Sequence, residues 1–228
     1  MKNRVAGKEE LIWEAFHNMH YHCDGGRFRK IFARQELVKK ISDLPGHIID
    51  AGVFKGTSTI LFAHLLDFYQ PNSRSKVIAF DMFSERFPKA KDTEISAVNQ
   101  HQKNYDANAY DQLLYAIETQ GISHRVEIVK GDITKTLPAY LNAAPGARIS
   151  MLHCDLDIYH PTLATLKECW PRVVKGGIVV FDEYAVEAWE ESNAADEFLA
   201  TLDFAPQLKT IPNATSPTAF FVKEIHGE

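Results

Sequence analysis

The sequence is poor in the features that announce a protein's partners. It has 3 cysteines, Cys23, Cys154 and Cys169, an odd number without a C-x-x-C pair. That excludes a disulfide framework and a cysteine-built zinc site, and it fits a reducing compartment. There is no basic excess, since 25 Lys and Arg stand against 30 Asp and Glu for a formal net charge of -5. Phosphate recognition needs concentrated Lys and Arg, so no nucleic-acid partner is expected. The local cluster Arg27, Arg29, Lys30 and Arg34, with Lys39 and Lys40 beyond it, reads as a solvated helix face. No apolar run reaches membrane-spanning length, and MKNRVAGKEELIWEAF lacks a signal peptide's apolar core and small-residue cleavage site. No membrane partner is expected, and a soluble, cytoplasmic protein is.

What is present is ordinary in bulk and informative in order. At 228 residues and 45% hydrophobic content, the chain fits one domain with a full core. Residues 1–45 hold two helical stretches, around Leu11–Met19 and Phe28–Ile41, with a loop at His22–Gly26, and form a possible lid. From residue 46 short apolar strands alternate with helices: strands at 47–51, 76–81, 125–130, 148–154 and, after Gly176-Gly177, 178–181. Such alternation demands a doubly wound, mostly parallel α/β sheet with helices on both faces. Two closing extended runs, Gln207–Ile211 and Thr218–Lys223, have no crossover between them and read as an antiparallel hairpin. This is the arrangement of the Rossmann-like class I methyltransferases. The polar 83–108 stretch is the one candidate insertion, a cap over the site.

In such a sheet ligands bind beyond the carboxyl ends of the strands. The first strand ends in Asp50-Ala51-Gly52-Val53-Phe54-Lys55-Gly56-Thr57-Ser58. Its glycines admit a ligand to the backbone, and the amides opening the next helix can hold an anion. In S-adenosylmethionine that anion is the methionine carboxylate, and Asp50 is placed to receive the ammonium. Asp81 ends the second strand, where an acid accepts ribose hydroxyls, and Asp132 with Ile133 follows the third, at the adenine position. Asp81 and Asp132 are equally good helix N-caps. A nicotinamide enzyme would show GxGxxG, which this turn lacks.

The segment His153-Cys154-Asp155-Leu156-Asp157-Ile158-Tyr159-His160-Pro161-Thr162 ends the fourth strand, and Phe181-Asp182-Glu183-Tyr184 ends the fifth. Asp155 and Asp157 share a face if the strand persists that far. Asp155, Asp157, Asp182 and Glu183 then converge at one mouth, where a hard cation relieves their repulsion. Oxygen-only ligands favour Mg²⁺, with Mn²⁺ or Ca²⁺ as alternatives.

These two segments, together with Ile49–Gly56 and Gly176–Phe181, resemble the macrocin O-methyltransferase family in order and spacing from about Gly46 to the C-terminus. The resemblance implies methyl transfer from S-adenosylmethionine to a hydroxyl of a sugar or sugar-bearing small molecule. It implies Asp155, Asp182 and Glu183 as metal ligands, with Asp155 also bordering the cofactor, and Asp157 as general base. The chain departs from the family pattern at Glu183 (aspartate), Leu156 (glycine) and His153 (often arginine). His153 reads as a buried, hydrogen-bonded strand residue, and His160 as either a reserve base or a helix cap. His20, His22, His101, His124 and His226 lack metal-ligand spacing and default to the surface. Trp189 and Tyr184 are candidates for an acceptor pocket. The rivals are metal-free transfer to a phenol or amine, and a non-catalytic cofactor-binding protein. The N-terminal helices offer a surface for a homo-oligomer.

Overall fold

The structure is a computed structural model and describes residues 9–84, 90–212 and 214–224. Strands β1 (His47–Ala51), β2 (Val77–Asp81), β3 (Val126–Lys130), β4 (Ile149–Cys154) and β5 (Val173–Phe181) are parallel. Strand β6 (Ala219–Val222) closes the sheet antiparallel to β5. The order β3-β2-β1-β4-β5-β6 reverses the winding between β1 and β4. A crevice therefore opens at the carboxyl ends of those two strands.

Before the sheet come α1 (Glu9–His22) and α2 (Gly25–Lys40). The expected loop at His22–Gly26 shrinks to Cys23 and Asp24, because the Asp24 side chain accepts a hydrogen bond from Gly26 N and caps α2. Helices α3 (Thr57–Tyr69), α5 (Ala109–Gln120), α6 (Ile133–Ala143), α7 (Tyr159–Cys169) and α8 (Glu191–Leu199) cover the sheet. The 83–108 stretch contains a 3-10 turn at Asp92–Glu94 and α4 (Ile95–Gln102).

Two expectations are corrected. The closing hairpin reduces to β6 and a single antiparallel bridge, Lys209 to Phe220. The Gly176-Gly177 pair does not turn the chain into β5; the strand already begins at Val173 and runs through it. A Cβ on Gly177 would lie 2.9 Å from Val174 O and 3.1 Å from Ser150 O, and the register with β4 shifts beside it. The glycines serve a close strand approach at an irregularity.

Period two along each strand decides what reaches the site. Ile49, Leu152, Cys154, Val179 and Phe181 join the core under α6, α7 and α8. Ile48, Met151, Ile178 and Val180 join Leu37, Val38, Phe62 and Leu66 under α2 and α3. Each fully buried Leu, Ile or Phe contributes about 1.5–3 kcal/mol. Asp50 and His153 are direct register partners and fall on the α2–α3 side, as does Asp182, two residues past Val180. One row of buried polar groups thus runs under helix α2.

Candidate active site

The loop after β1 is shaped by one close approach. Gly52 has φ 92°, and a Cβ there would stand 1.7 Å from the backbone oxygen of Asp155. Only glycine permits the ends of β1 and β4 to meet this way. Asp81 Oδ2 then accepts from Val53 N and Phe54 N, both at 2.8 Å, and Oδ1 accepts from Phe83 N at 2.6 Å. Burial raises the Asp81 pKa against the pull of these amides. Asp132 caps α6, accepting from Thr134 N at 3.0 Å and Thr134 Oγ1 at 2.7 Å. Both acids still face a cavity of about 940 Å³, which Gly52, Val53, Ser58 and Ile133 also line.

Asp50 and Ala51 lie elsewhere, which corrects their reading as ligand contacts. Both are fully buried and neither lines the cavity. The Asp50 carboxylate accepts from Ser58 Oγ at 2.9 Å and Thr59 Oγ1 at 2.6 Å, and meets His153 Nδ1 at 2.8 Å. Its positive partner is His153.

The same cavity reaches Asp155, Asp157, Asp182 and Glu183. The strand does not persist to Asp157: β4 ends at Cys154, and Asp157 sits in the left-handed region with φ 65°. The turn, not strand alternation, brings it back to the wall. Asp182 is buried and surrounded by cations, with Lys30 Nζ at 2.8 Å, Arg34 at 3.5 Å and His153 Nε2 at 3.5 Å, and it also accepts from Ser216 Oγ. Arg34 stands 3.8 Å from Asp155 as well. Burial alone would raise the Asp182 pKa; His153, Lys30 and Arg34 outweigh it and hold it well below the carboxylate range. For His153, burial is outweighed by Asp182 and Asp50, which push it up to about 9, so it is an imidazolium at neutral pH. Burial and the Asp182 charge push Asp155 up to about 7. Burial, with the Asp155, Glu183 and Asp182 charges, also raises Asp157 well above the usual carboxylate range.

Several residues are corrected or were missed. Arg34 is 6% exposed and points inward, not onto a solvated face. Lys30 and Arg34 are one helical turn apart, so their shared face was readable, but its partner across the fold was not. His160 is exposed on the first turn of α7, outside this cavity, and is therefore not placed as a base. His101, expected at the surface, lines the cavity, as Trp189 does; Tyr184 instead bonds Asp196 of α8. His124, also assigned no partner, pairs with Asp67 at 3.1 Å, and His226 lies outside the described residues. Glu191 is fully buried and accepts from Glu183 N at 2.9 Å, fixing the turn after β5. Nothing in its neighbourhood along the sequence signals that contact.

Residues 26–216 match the family described as Macrocin-O-methyltransferase (TylF). The chain belongs to this family. The 8-demethyl-8-(2,3-dimethoxy-alpha-L-rhamnosyl)-tetracenomycin-C 4'-O-methyltransferase of Streptomyces olivaceus is 27% identical over 155 residues, covering 65% of this chain and 57% of that protein. The mycinamicin III 3''-O-methyltransferase of Micromonospora griseorubida is 27% identical over 156 residues, covering 65% and 59%. The matched segment thus spans less than two thirds of either relative. Among solved structures, the calicheamicin methyltransferase CalS11 superposes with a TM-score of 0.73 at 26% identity, covering 92% of this chain and 85% of that one. An apo structure of CalS11 describes it as a TDP-rhamnose 3'-O-methyltransferase. The O-methyltransferase NovP, at 21% identity and TM-score 0.73 with 86% and 80% covered, shows the fold alone.

Proposed function

We propose that this chain transfers the methyl group of S-adenosylmethionine to a hydroxyl of a sugar or sugar-bearing small molecule in natural-product biosynthesis. The observation that carries the reading is one cavity joining two chemically different ends. The glycine loop, Asp81, Asp132 and Ile133 form the cofactor end, and Asp155, Asp157, Asp182 and Glu183 the acceptor end. Its volume, about 940 Å³, suits two small molecules side by side. Family membership and relatives named for sugar-bearing products support the acceptor class. Free cysteines at 23, 154 and 169 fit work in the cytoplasm.

The acidic end fits a divalent cation. A carboxylate oxygen of Asp155 and one of Asp182 lie within 4.8 Å of each other, and Asp182 Oδ1 is buried without a hydrogen bond. The Lys30 ammonium on the other Asp182 oxygen is the stand-in charge. Asp155 and Asp182 would hold Mg²⁺, with Glu183 beside them, and the ion would orient a hydroxyl pair and lower its pKa. The protein's own contribution is alignment, since methyl transfer is an in-line displacement that needs oxygen, methyl and sulfur held in a row. Asp157 is buried on the same wall of the cavity. A second reading is favoured by Lys30 and Arg34: these side chains already neutralise the acids, as metal-free transfer would require.

Calorimetry of chelator-treated protein tests both. S-adenosylhomocysteine should bind with micromolar affinity, and added Mg²⁺ should give a further signal that Asp182→Ala removes. Absence of nucleoside binding by folded protein sinks the methyltransferase reading. Nucleoside binding without a Mg²⁺ signal selects the metal-free one.

A further inference from the structure

Among the residues that the capping segment brings to the cavity is His101, in the last turn of α4. Its Nδ1 lies 3.8 Å from Asp157 Oδ2. Its ring meets Phe54 of the glycine loop edge-on at 5.2 Å between centroids, and Trp189 at 6.1 Å. It therefore stands between the glycine loop and the wall that carries Asp157.

That position is built, not accidental. Glu94 is fully buried, and its two carboxylate oxygens accept from Lys91 N and Tyr159 N, each at 2.6 Å. One side chain so ties the start of the capping helix to the chain two residues past Asp157. Lys91 adds a contact over the Tyr159 ring at 3.2 Å and an ion pair to Glu190 at 2.7 Å. The separation of His101 and Asp157 is thus set through Glu94, in space, although the two lie 56 positions apart in the chain.

We propose that His101, held at the acceptor wall beside Asp157, accepts the proton of the attacking hydroxyl. This rests on the methyl-transfer reading above and reassigns the base within it. In the step, the hydroxyl O–H bond breaks and its proton goes to an imidazole nitrogen. The oxygen lone pair forms the O–CH₃ bond, the S–CH₃ bond breaks with its electron pair left on sulfur, and S-adenosylhomocysteine departs. The partly exposed edge of the imidazolium returns the proton to solvent. The charged groups facing the ring are Asp157 from the turn after β4 and Asp81 from the end of β2; Phe54 and Trp189 supply apolar walls. Burial lowers the His101 pKa below 6.5 and outweighs the opposing Asp81 charge, so the ring is neutral and ready to accept at pH 7. Activity is then lost as pH falls through that lowered value.

Two arms test the assignment. In the first, ¹⁵N-histidine NMR follows His101 in the metal-free complex with S-adenosylhomocysteine, which needs no acceptor. The wild type should titrate below 6.5, and Asp157→Asn should change the value, since the two side chains stand 3.8 Å apart. A value that Asp157→Asn leaves unmoved overturns the pair. In the second, methyl transfer to a panel of methyl glycosides is timed for wild type, His101→Gln and His101→Ala. His101→Gln should lose on the order of 100-fold in kcat. It should also lose the acidic limb of the pH profile while binding S-adenosylhomocysteine within about twofold of wild type; added imidazole should restore His101→Ala. Full activity in His101→Gln overturns the proposal. Failure of the wild type to bind the nucleoside or to turn over any glycoside counts against the proposed function instead, and the NMR arm alone then decides on the pair.

Discussion

The two ends of the cavity are both acidic and are held together in opposite ways. At the cofactor end the hydrogen bonds to Asp81 and Asp132 come from neutral donors, amides of the glycine loop and the amide and hydroxyl of Thr134, with the exposed Lys135 ammonium 3.8 Å from Asp132. At the acceptor end Asp155 and Asp182 are met by cations, two of them from a helix more than 100 residues earlier in the chain. Backbone amides cannot leave without undoing the fold. Long side chains can swing away, at a small cost in a partly exposed setting. The first end is therefore a fixed mould, whereas at the second the partly exposed Lys30 is a counter-charge able to swing away.

The most damaging way to break this comparison is to destroy the mould. Gly52→Ala should cost more than about 4 kcal/mol or prevent folding, because the new methyl overlaps the Asp155 backbone oxygen and the φ of 92° disfavours any side chain. Denaturant unfolding measures it; a stable Gly52→Ala protein that still binds S-adenosylhomocysteine would mean that β1 and β4 are not locked. Next comes His153, the buried cation that joins Asp50 of β1 at 2.8 Å to Asp182 just after β5 at 3.5 Å. His153→Leu leaves two buried carboxylates without their common cation and should cost about 3–5 kcal/mol. A loss under about 1 kcal/mol would show that Lys30 and Arg34 neutralise the site unaided.

The same contrast explains what the sequence reveals. Strand positions and the mostly parallel pairing follow from apolar runs and their alternation with helices, which are local signals, and the structure agrees within a residue or two for β1 to β4. The row Asp155, Asp157, Asp182 and Glu183 is legible because the strand-end rule places it. Asp50 is misread because a strand-end acid and a buried partner of His153 look alike until the register of β1 on β4 is known. Lys30, Arg34 and His101 are misread for a related reason: their partners lie across the fold. A basic helix face is usually solvated, and no local feature says that α2 crosses above the acids. His101 reaches the site only because Glu94 anchors its helix beside Tyr159.

A smaller effect sharpens the account of the fixed end. Asp132→Ala removes the α6 N-cap and should cost about 1 kcal/mol. If Asp132 also holds a ligand, nucleoside affinity should fall by more than this stability loss, which thermal melts with and without S-adenosylhomocysteine separate. Equal losses in both states would leave Asp132 as a cap only.

The gentlest change probes the exchangeable end. Lys30→Met keeps the apolar stem of the side chain and deletes the ammonium 2.8 Å from Asp182. Because the side chain reaches the site from a partly exposed position on α2, melting should barely move. Divalent affinity should respond, since the charge that competes for Asp182 is gone: Mn²⁺ titration followed by electron paramagnetic resonance should show binding tighter by on the order of tenfold. Arg34, more deeply buried and shared between Asp155 and Asp182, would still balance part of the charge, so the site should not collapse in the metal-free state. If Mn²⁺ binding is unchanged, Lys30 is not seated where the cation goes; if it weakens, Lys30 helps to shape the ligand set instead of opposing it. Only tighter binding agrees with an acceptor end whose resident charges are held in place by side chains that can leave.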